Sequence, residues 1–341
     1  MKKKTKKTSN FSKNLITVIM VALLYAVVAV ALYTGKASRQ LSNMLIPISA
    51  YIVMAVSLNL VVGLLGELSL GHAGFMSVGL FGGCLLSIAL ADVLPVAVRL
   101  PLAMLAGGLV AAVFGLVVGL PALRLKGDYL AIVTLACGEI IKNVITNLKF
   151  TGGALGLDTS PVYSNAKTLL PFAIVLVFLT MIVMMNLKNS KYGRAIMAIR
   201  DNRIAAESTG INVTYFKLAV FIIAAFFAGA AGTLYGHFFA NVKAASFDYN
   251  MSIEILVIVV LGGMGSVRGS IIAAIILQAL PEVLREFADY RMLIYSVLLI
   301  VIMLLNSSPK FAEMKGNWSI GSVVKLAKNK KKSKEAAENE Q

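Results

Sequence analysis

Ten apolar stretches divide the chain, at roughly 15–33, 44–62, 73–91, 99–120, 129–147, 170–187, 217–240, 252–262, 270–284 and 292–306. A bilayer's hydrocarbon core is about 30 Å thick, and a helix needs about 20 apolar residues to cross it. A segment surrounded by lipid must satisfy its own backbone hydrogen bonds, which makes each stretch a helix. The pattern therefore predicts an all-α integral membrane protein, a polytopic bundle of about ten transmembrane segments. Composition agrees: 58% of the 341 residues are hydrophobic and 14% are charged, where soluble domains carry about 25% charge. The chain lacks the polar residues to cover a soluble surface.

The charge is also unevenly placed. Thirty-two Lys and Arg oppose sixteen Asp and Glu, and twenty of the basic residues lie in three stretches, 2–13, 188–217 and 310–334. Basic clusters between apolar runs mark loops on the cytoplasmic side and argue for membrane lipid, against nucleic acid, as the surrounding partner. Leu15 to Tyr33 follows a lysine cluster as a secretory leader would, but its nineteen or so positions exceed a leader's apolar core, so it is expected to be a retained first span.

Both termini are lysine-rich, so both are expected in the cytoplasm, which requires an even number of crossings. Ten alternating spans put 23 of the 32 basic residues inside, among them Arg124, Lys126 and Arg268. A single helix over 252–284 would give nine crossings and misplace one terminus. Eight crossings plus a re-entrant hairpin at 252–284 would keep the parity. The expected organisation is a basic cytoplasmic N-terminus (1–14), a transmembrane domain (15–306) with a cytoplasmic loop at 188–217, and a charged, disordered cytoplasmic tail (307–341).

Two regions depart from ordinary lipid-facing helices. Gly63 to Gly83 holds seven glycines in 21 residues, and Gly262 to Gly269 holds four in eight. Glycine at that density lets helices approach closely or breaks them to line a cavity. Gly66, Glu67, Ser69, Gly71 and His72 in the first region, and Gly262, Gly263 and Gly265 in the second, are candidates for a translocation path. Charges inside a membrane are costly and point to function, which adds Glu139. Glu139 and Lys142 are three residues apart on one helix face and can also neutralise each other. Glu254, at the start of its segment, reads as a helix cap.

Two histidines and two scattered cysteines are too few for a metal centre, and no phosphate-binding loop occurs, so no metal, cofactor or catalytic residue is expected. The stretch 201–210, Asp201-Asn202-Arg203-Ile204-Ala205-Ala206-Glu207-Ser208-Thr209-Gly210, reads as a short helix with Asp201 as N-cap and Gly210 as terminator. About eight residues is too short to be stable in water without a surface to dock on. Ala205, Ala206, Thr209 and Gly210 are expected to form a small-residue docking face; lying flat on the bilayer is the alternative.

Ala-Ala-Glu followed three residues later by Gly, in a cytoplasmic loop of a polytopic chain, resembles the coupling motif of ATP-binding-cassette importer permeases. Asn59-Leu60-Val61-Val62-Gly63 through Gly66-Glu67-Leu68-Ser69-Leu70-Gly71-His72-Ala73-Gly74-Phe75 is similar to the glycine-rich signature of branched-chain amino acid permeases. So are Leu123-Arg124-Leu125-Lys126-Gly127-Asp128-Tyr129, Thr151-Gly152-Gly153, Gly193-Arg194-Ala195 to Ile199-Arg200-Asp201, and Leu261-Gly262-Gly263-Met264-Gly265-Ser266. The order of these blocks fits the LivM-like subunit. Position 67 is Glu where many relatives carry Gln.

The resemblance implies a permease fold and a non-enzymatic transport subunit in a bacterial inner membrane. It implies a LivH-like second permease, two ATPase subunits that bind the ATP, and an extracytoplasmic substrate-binding protein as partners. Asp201, Arg203, Ala205, Ala206, Glu207 and Gly210 would form the helix that couples to the ATPases. Leucine, isoleucine and valine are the implied cargo; urea or short-chain amides are carried by permeases sharing these blocks. An ion-coupled secondary transporter or channel is the reading from another class, and it lacks a paired-carboxylate constellation.

Overall fold

Lys3–Tyr33 forms one helix, α1, so the basic N-terminus continues the first apolar stretch without a break. The computed structural model describes residues 3–35, 38–125 and 127–284, and beyond these only 290, 293, 296–297, 300 and 304. Tyr25 on α1 meets Ser49 at 2.9 Å and ties it to α2 (Arg39–Asn59), whose N-cap Ser38 accepts from the Leu41 amide at 3.1 Å. Instead of ending near 62, this helix widens into a π-helical turn over Leu60–Leu65, which Gly66 closes with φ +80. Residues 67–71 run without regular structure into α3 (His72–Ala89).

The centre of the bundle is α3 against α4 (Val96–Ala122) and α9 (Val213–Gly236). Small residues bring the three backbones together, as helices do in membranes. A Cβ on Gly79 would lie 2.1 Å from Gly229 Cα, and one on Gly107 would lie 2.4 Å from the Gly79 carbonyl oxygen. Thr233 Oγ1 donates into this junction, 2.9 Å from the Gly79 oxygen. The opposite face of α4 carries Leu102, Leu105, Leu109, Val113 and Val117, all exposed. A stripe of that length would be an aggregation liability in water and is the kind of surface a membrane-embedded helix carries.

α5 (Asp128–Asn147) and α6 (Ala166–Asn189) complete the wall. The connections 148–165 and 237–248 meet at one end of the bundle in a two-residue antiparallel ribbon, β1 (Leu157–Asp158) with β2 (Asn241–Val242). At the other end the α6–α9 connection folds as two helices, α7 (Lys191–Asp201) and α8 (Arg203–Ser208). The sequence reading found only the second. Ser190 caps α7, accepting from the Gly193 amide at 3.0 Å, and Ile196 and Ile199 bury its inner face.

The stretch 252–284 is two helices, α10 (Tyr249–Gly262) and α11 (Val267–Val283). They are joined through Gly263 (φ +91) and Gly265 (φ +79), conformations that glycine adopts without steric cost. Gly262 and Gly269 face each other so closely that neither has room for a Cβ. Glu254 is not a cap: Asp248 accepts from the Met251 amide at 3.2 Å, and Glu254 sits more than a turn further on.

Seven helices among the described residues are long and apolar enough to cross a membrane, and Thr17–Tyr33 adds a shorter apolar stretch. The chain is an all-α polytopic membrane protein. Residues to Ala279 form one compact unit and those from Leu280 a second. In the second, the tenth predicted span (292–306) lies mostly, and the tail 307–341 wholly, outside the described residues.

Candidate functional site

α8 is six residues long and held at both ends. Its N-cap is Asn202, one residue later than predicted, whose Oδ1 accepts from the Ala205 amide at 3.1 Å; Asp201 instead ends α7. At the far end the Ile211 amide donates to the Ala206 carbonyl (3.1 Å) and the Gly210 amide to Glu207 (3.0 Å), with Gly210 at φ +82. That pair of bonds is the Schellman closure expected of Gly210. Arg203 and Glu207 pair across one turn at 2.9 Å.

The expected small-residue face is split. Ala206 is buried against its own chain, whereas Ala205, Thr209 and Gly210 are exposed. The large apolar side chain that α8 exposes is Ile204, 79% exposed; Tyr192 on α7 and Tyr215 on α9 are exposed too. An isolated apolar knob on a doubly capped helix is suited to filling a pocket on another protein.

Three cations, Arg200 on α7, Lys188 at the end of α6 and Lys217 on α9, reach the two glycine-rich breaks. Arg200 Nη1 donates to the Gly63 carbonyl at 3.2 Å, and the arginine stem fills the space beside Gly66, where a Cβ would fall 2.4 Å from Arg200 Cγ. Lys188 Nζ donates to the Gly265 carbonyl at 2.6 Å. Lys217, on α9, forms an ion pair with Glu67, their side chains 4% and 15% exposed. The breaks also hold each other: Asn59 Oδ1 accepts from the Gly265 amide at 2.7 Å while its Nδ2 donates to Ser270 Oγ at 2.8 Å.

Gly66, Glu67, Gly262, Gly263 and Gly265 are thus gathered at one end of the bundle, beside α7. Ser69, Gly71 and His72 lie next along the chain but deeper. Leu70 donates its amide to Thr134 Oγ1 (3.0 Å), Gly71 packs on the Thr134 carbonyl, and His72 Nε2 meets Ser57 Oγ at 2.8 Å. Glu139 is elsewhere: it pairs with Lys142, as its spacing predicted, and accepts from the Tyr249 amide at 2.8 Å. The sequence reading missed Asn59, Lys188, Arg200 and Lys217 as site residues. A polar Asn inside an apolar run was the available signal for the first; the basic residues looked like ordinary loop charges.

The buried pair makes a definite prediction. Glu67→Ala leaves the Lys217 ammonium buried without its counter-charge, a change that costs about 3–5 kcal/mol. Glu67→Met combined with Lys217→Met should recover most of that loss. Reversible unfolding of the purified chain in mixed micelles, titrated with a denaturing detergent, reads both; equal stability of the single and double variants would contradict it.

A family model described as the branched-chain amino acid transport system permease component matches residues 40–305. The chain is 36% identical to the protein named high-affinity branched-chain amino acid transport system permease protein LivM of Salmonella typhimurium, and 35% identical to that of Escherichia coli K12. Each match covers 84% of this chain and 72% of the relative. The Salmonella typhimurium protein named LivH, of the same transport system, is 27% identical over 38% of this chain and 43% of its own. No solved structure matches the chain. With both glycine breaks and the α7–α8 connection inside the matched region, the chain belongs to the branched-chain amino acid transport permease family.

Proposed function

We propose that this chain is one of two permeases in an ATP-binding-cassette importer that carries leucine, isoleucine and valine across a bacterial inner membrane. A LivH-like permease would complete the membrane path, two ATPase subunits would bind and hydrolyse ATP, and an extracytoplasmic binding protein would deliver the cargo. The observation that carries the reading is α8: capped at both ends, it exposes Ile204 while Arg200, three residues before the helix starts and on α7, is bonded into the Gly63–Gly66 break. A force applied at Ile204 therefore has a short route into the bundle.

In this reading the α6–α9 connection and both termini are cytoplasmic. The α10–α11 turn reaches the same end of the bundle, since Gly265 bonds Lys188 and Asn59. That supports two crossings by this hairpin, and ten in all, over a re-entrant loop.

Ile204→Glu puts a charge on the projecting knob without touching a buried group. In vesicles holding the full complex and internal ATP, leucine uptake is expected to fall at least tenfold, with the permease still present in the membrane. Uptake at the parental rate would refute docking through α8. Accumulation of leucine by complexes prepared without the ATPase subunits would refute the importer itself.

A further inference from the structure

Two of the glutamates on the bundle's helices and breaks have cationic partners: Glu67 has Lys217 and Glu139 has Lys142. Glu254 differs. Among the described residues it meets no cation; its carboxylate accepts from Gln278 Nε2 at 3.0 Å and from the Tyr51 hydroxyl at 3.4 Å. These groups come from three helices, α10, α11 and α2. Glu254 is eight residues from the Gly262 end of α10, about 12 Å along its axis, and Gln278 is eleven residues into α11, about 16 Å. The cluster is therefore near the middle of a core about 30 Å thick. A carboxylate held there with neutral partners among the described residues is costly and calls for a function.

We propose that Glu254, Tyr51 and Gln278 form a transit site for the α-ammonium group of the transported amino acid. The proposal rests on the importer reading above and adds the residues that would meet the cargo. An ammonium group carries three N–H donors and no acceptor. The cluster offers acceptors of matching number: a carboxylate with lone pairs beyond the two in use, the Tyr51 oxygen and the Gln278 amide oxygen. Glu254 and Gln278 are half-buried, neither sealed in the core nor open to lipid. The arrangement matches the midplane position at which transporters commonly hold substrate.

The test is Glu254→Gln in the complete complex, reconstituted in vesicles with ATP and the binding protein. Glutamine keeps the shape but removes the charge, and since Gln278 and Tyr51 donate to different carboxylate oxygens, its single amide oxygen still accepts from one of them. Leucine uptake is expected to fall tenfold or more, while the binding-protein concentration that half-maximally stimulates ATP hydrolysis stays unchanged. Glu254→Asp should retain a measurable fraction of uptake. Uptake by the glutamine variant within twofold of the parent would overturn the site and assign Glu254 a structural role. If that variant fails to assemble, Tyr51→Phe and Gln278→Leu decide: each should cut uptake severalfold, and parental rates in both would overturn the proposal. A parental complex that accumulates no leucine would instead overturn the importer reading, which separates the two failures.

Discussion

Replacing Gly79 with alanine is expected to remove most folded protein from the membrane, although the change adds a single methyl group. Alanine is the better helix former by about 1 kcal/mol, so propensity alone predicts a gain. The new Cβ would lie 2.1 Å from Gly229 Cα and 2.6 Å from the Gly229 carbonyl. Both are backbone atoms, so no side-chain rotation relieves the overlap. α3 and α9 must move apart, which also pulls Thr233 from the Gly79 carbonyl and opens the contact between Gly107 and Gly79. Overpacking typically costs about 1–3 kcal/mol even where side chains can shift, and here three helices shift together. The clash wins. Gly82→Ala is the control: its Cβ would meet Val110 methyl groups at 3.4 Å, an ordinary contact. Size-exclusion profiles of fluorescently tagged variants should show Gly82→Ala as a parental peak and Gly79→Ala as lost or aggregated. A parental peak and melting temperature for Gly79→Ala would show that α3 and α9 are not so closely packed.

The same residues show how far the sequence could be read. Lipid punishes an unpaired backbone so heavily that apolar length alone located the described spans and their helical state. Gly210 was legible because its role is local: a positive φ and two backbone bonds within six residues. The N-cap was less so, since Asp201 and Asn202 are equally good caps and the end of α7, itself unanticipated, selects the second. The small-residue face is not continuous because Ala206 turns inward against its own chain, which no residue of the 201–210 stretch encodes. Glu67 was identified as an unusual charge, but its partner is 150 residues away on α9. The glycine density at 63–83 was consistent with packing or with a break, and the structure uses it for both: Gly66 ends the π-helical turn, while Gly79 seats α9. Periodicity reports what a segment is; it does not report which segments meet.

Arg200→Ala is expected to uncouple the proposed importer, with ATP still hydrolysed and far less leucine carried for each ATP. The π-helical turn at 60–65 alters the regular helical bonding of α2, and the Gly63 carbonyl accepts from Arg200 Nη1 at 3.2 Å. The arginine stem packs beside Gly66, at the point where the helix stops. In the importer proposed above, a movement of α8 would reach the Gly63–Gly66 break most directly through Arg200. A hydrogen bond from a charged donor is worth about 1.5–3 kcal/mol, and about 1.4 kcal/mol corresponds to a tenfold change in an equilibrium. Losing it should lower leucine carried per ATP by roughly ten- to a hundredfold. Arg200→Lys should not restore coupling, because an ammonium cannot reproduce the planar fork that reaches the carbonyl while the stem lies under Gly66. Lys188→Ala should have a smaller effect in the same direction, since Asn59 continues to hold Gly265. Asp201→Ala should have none: its bond to Arg200 is exposed on both sides, and such pairs contribute little. The ratio of uptake to phosphate released, measured in the same vesicles, separates these outcomes. An unchanged ratio in Arg200→Ala would mean that the movement of α8 enters the bundle by another route, with Lys217 and Glu67 the next pair to vary.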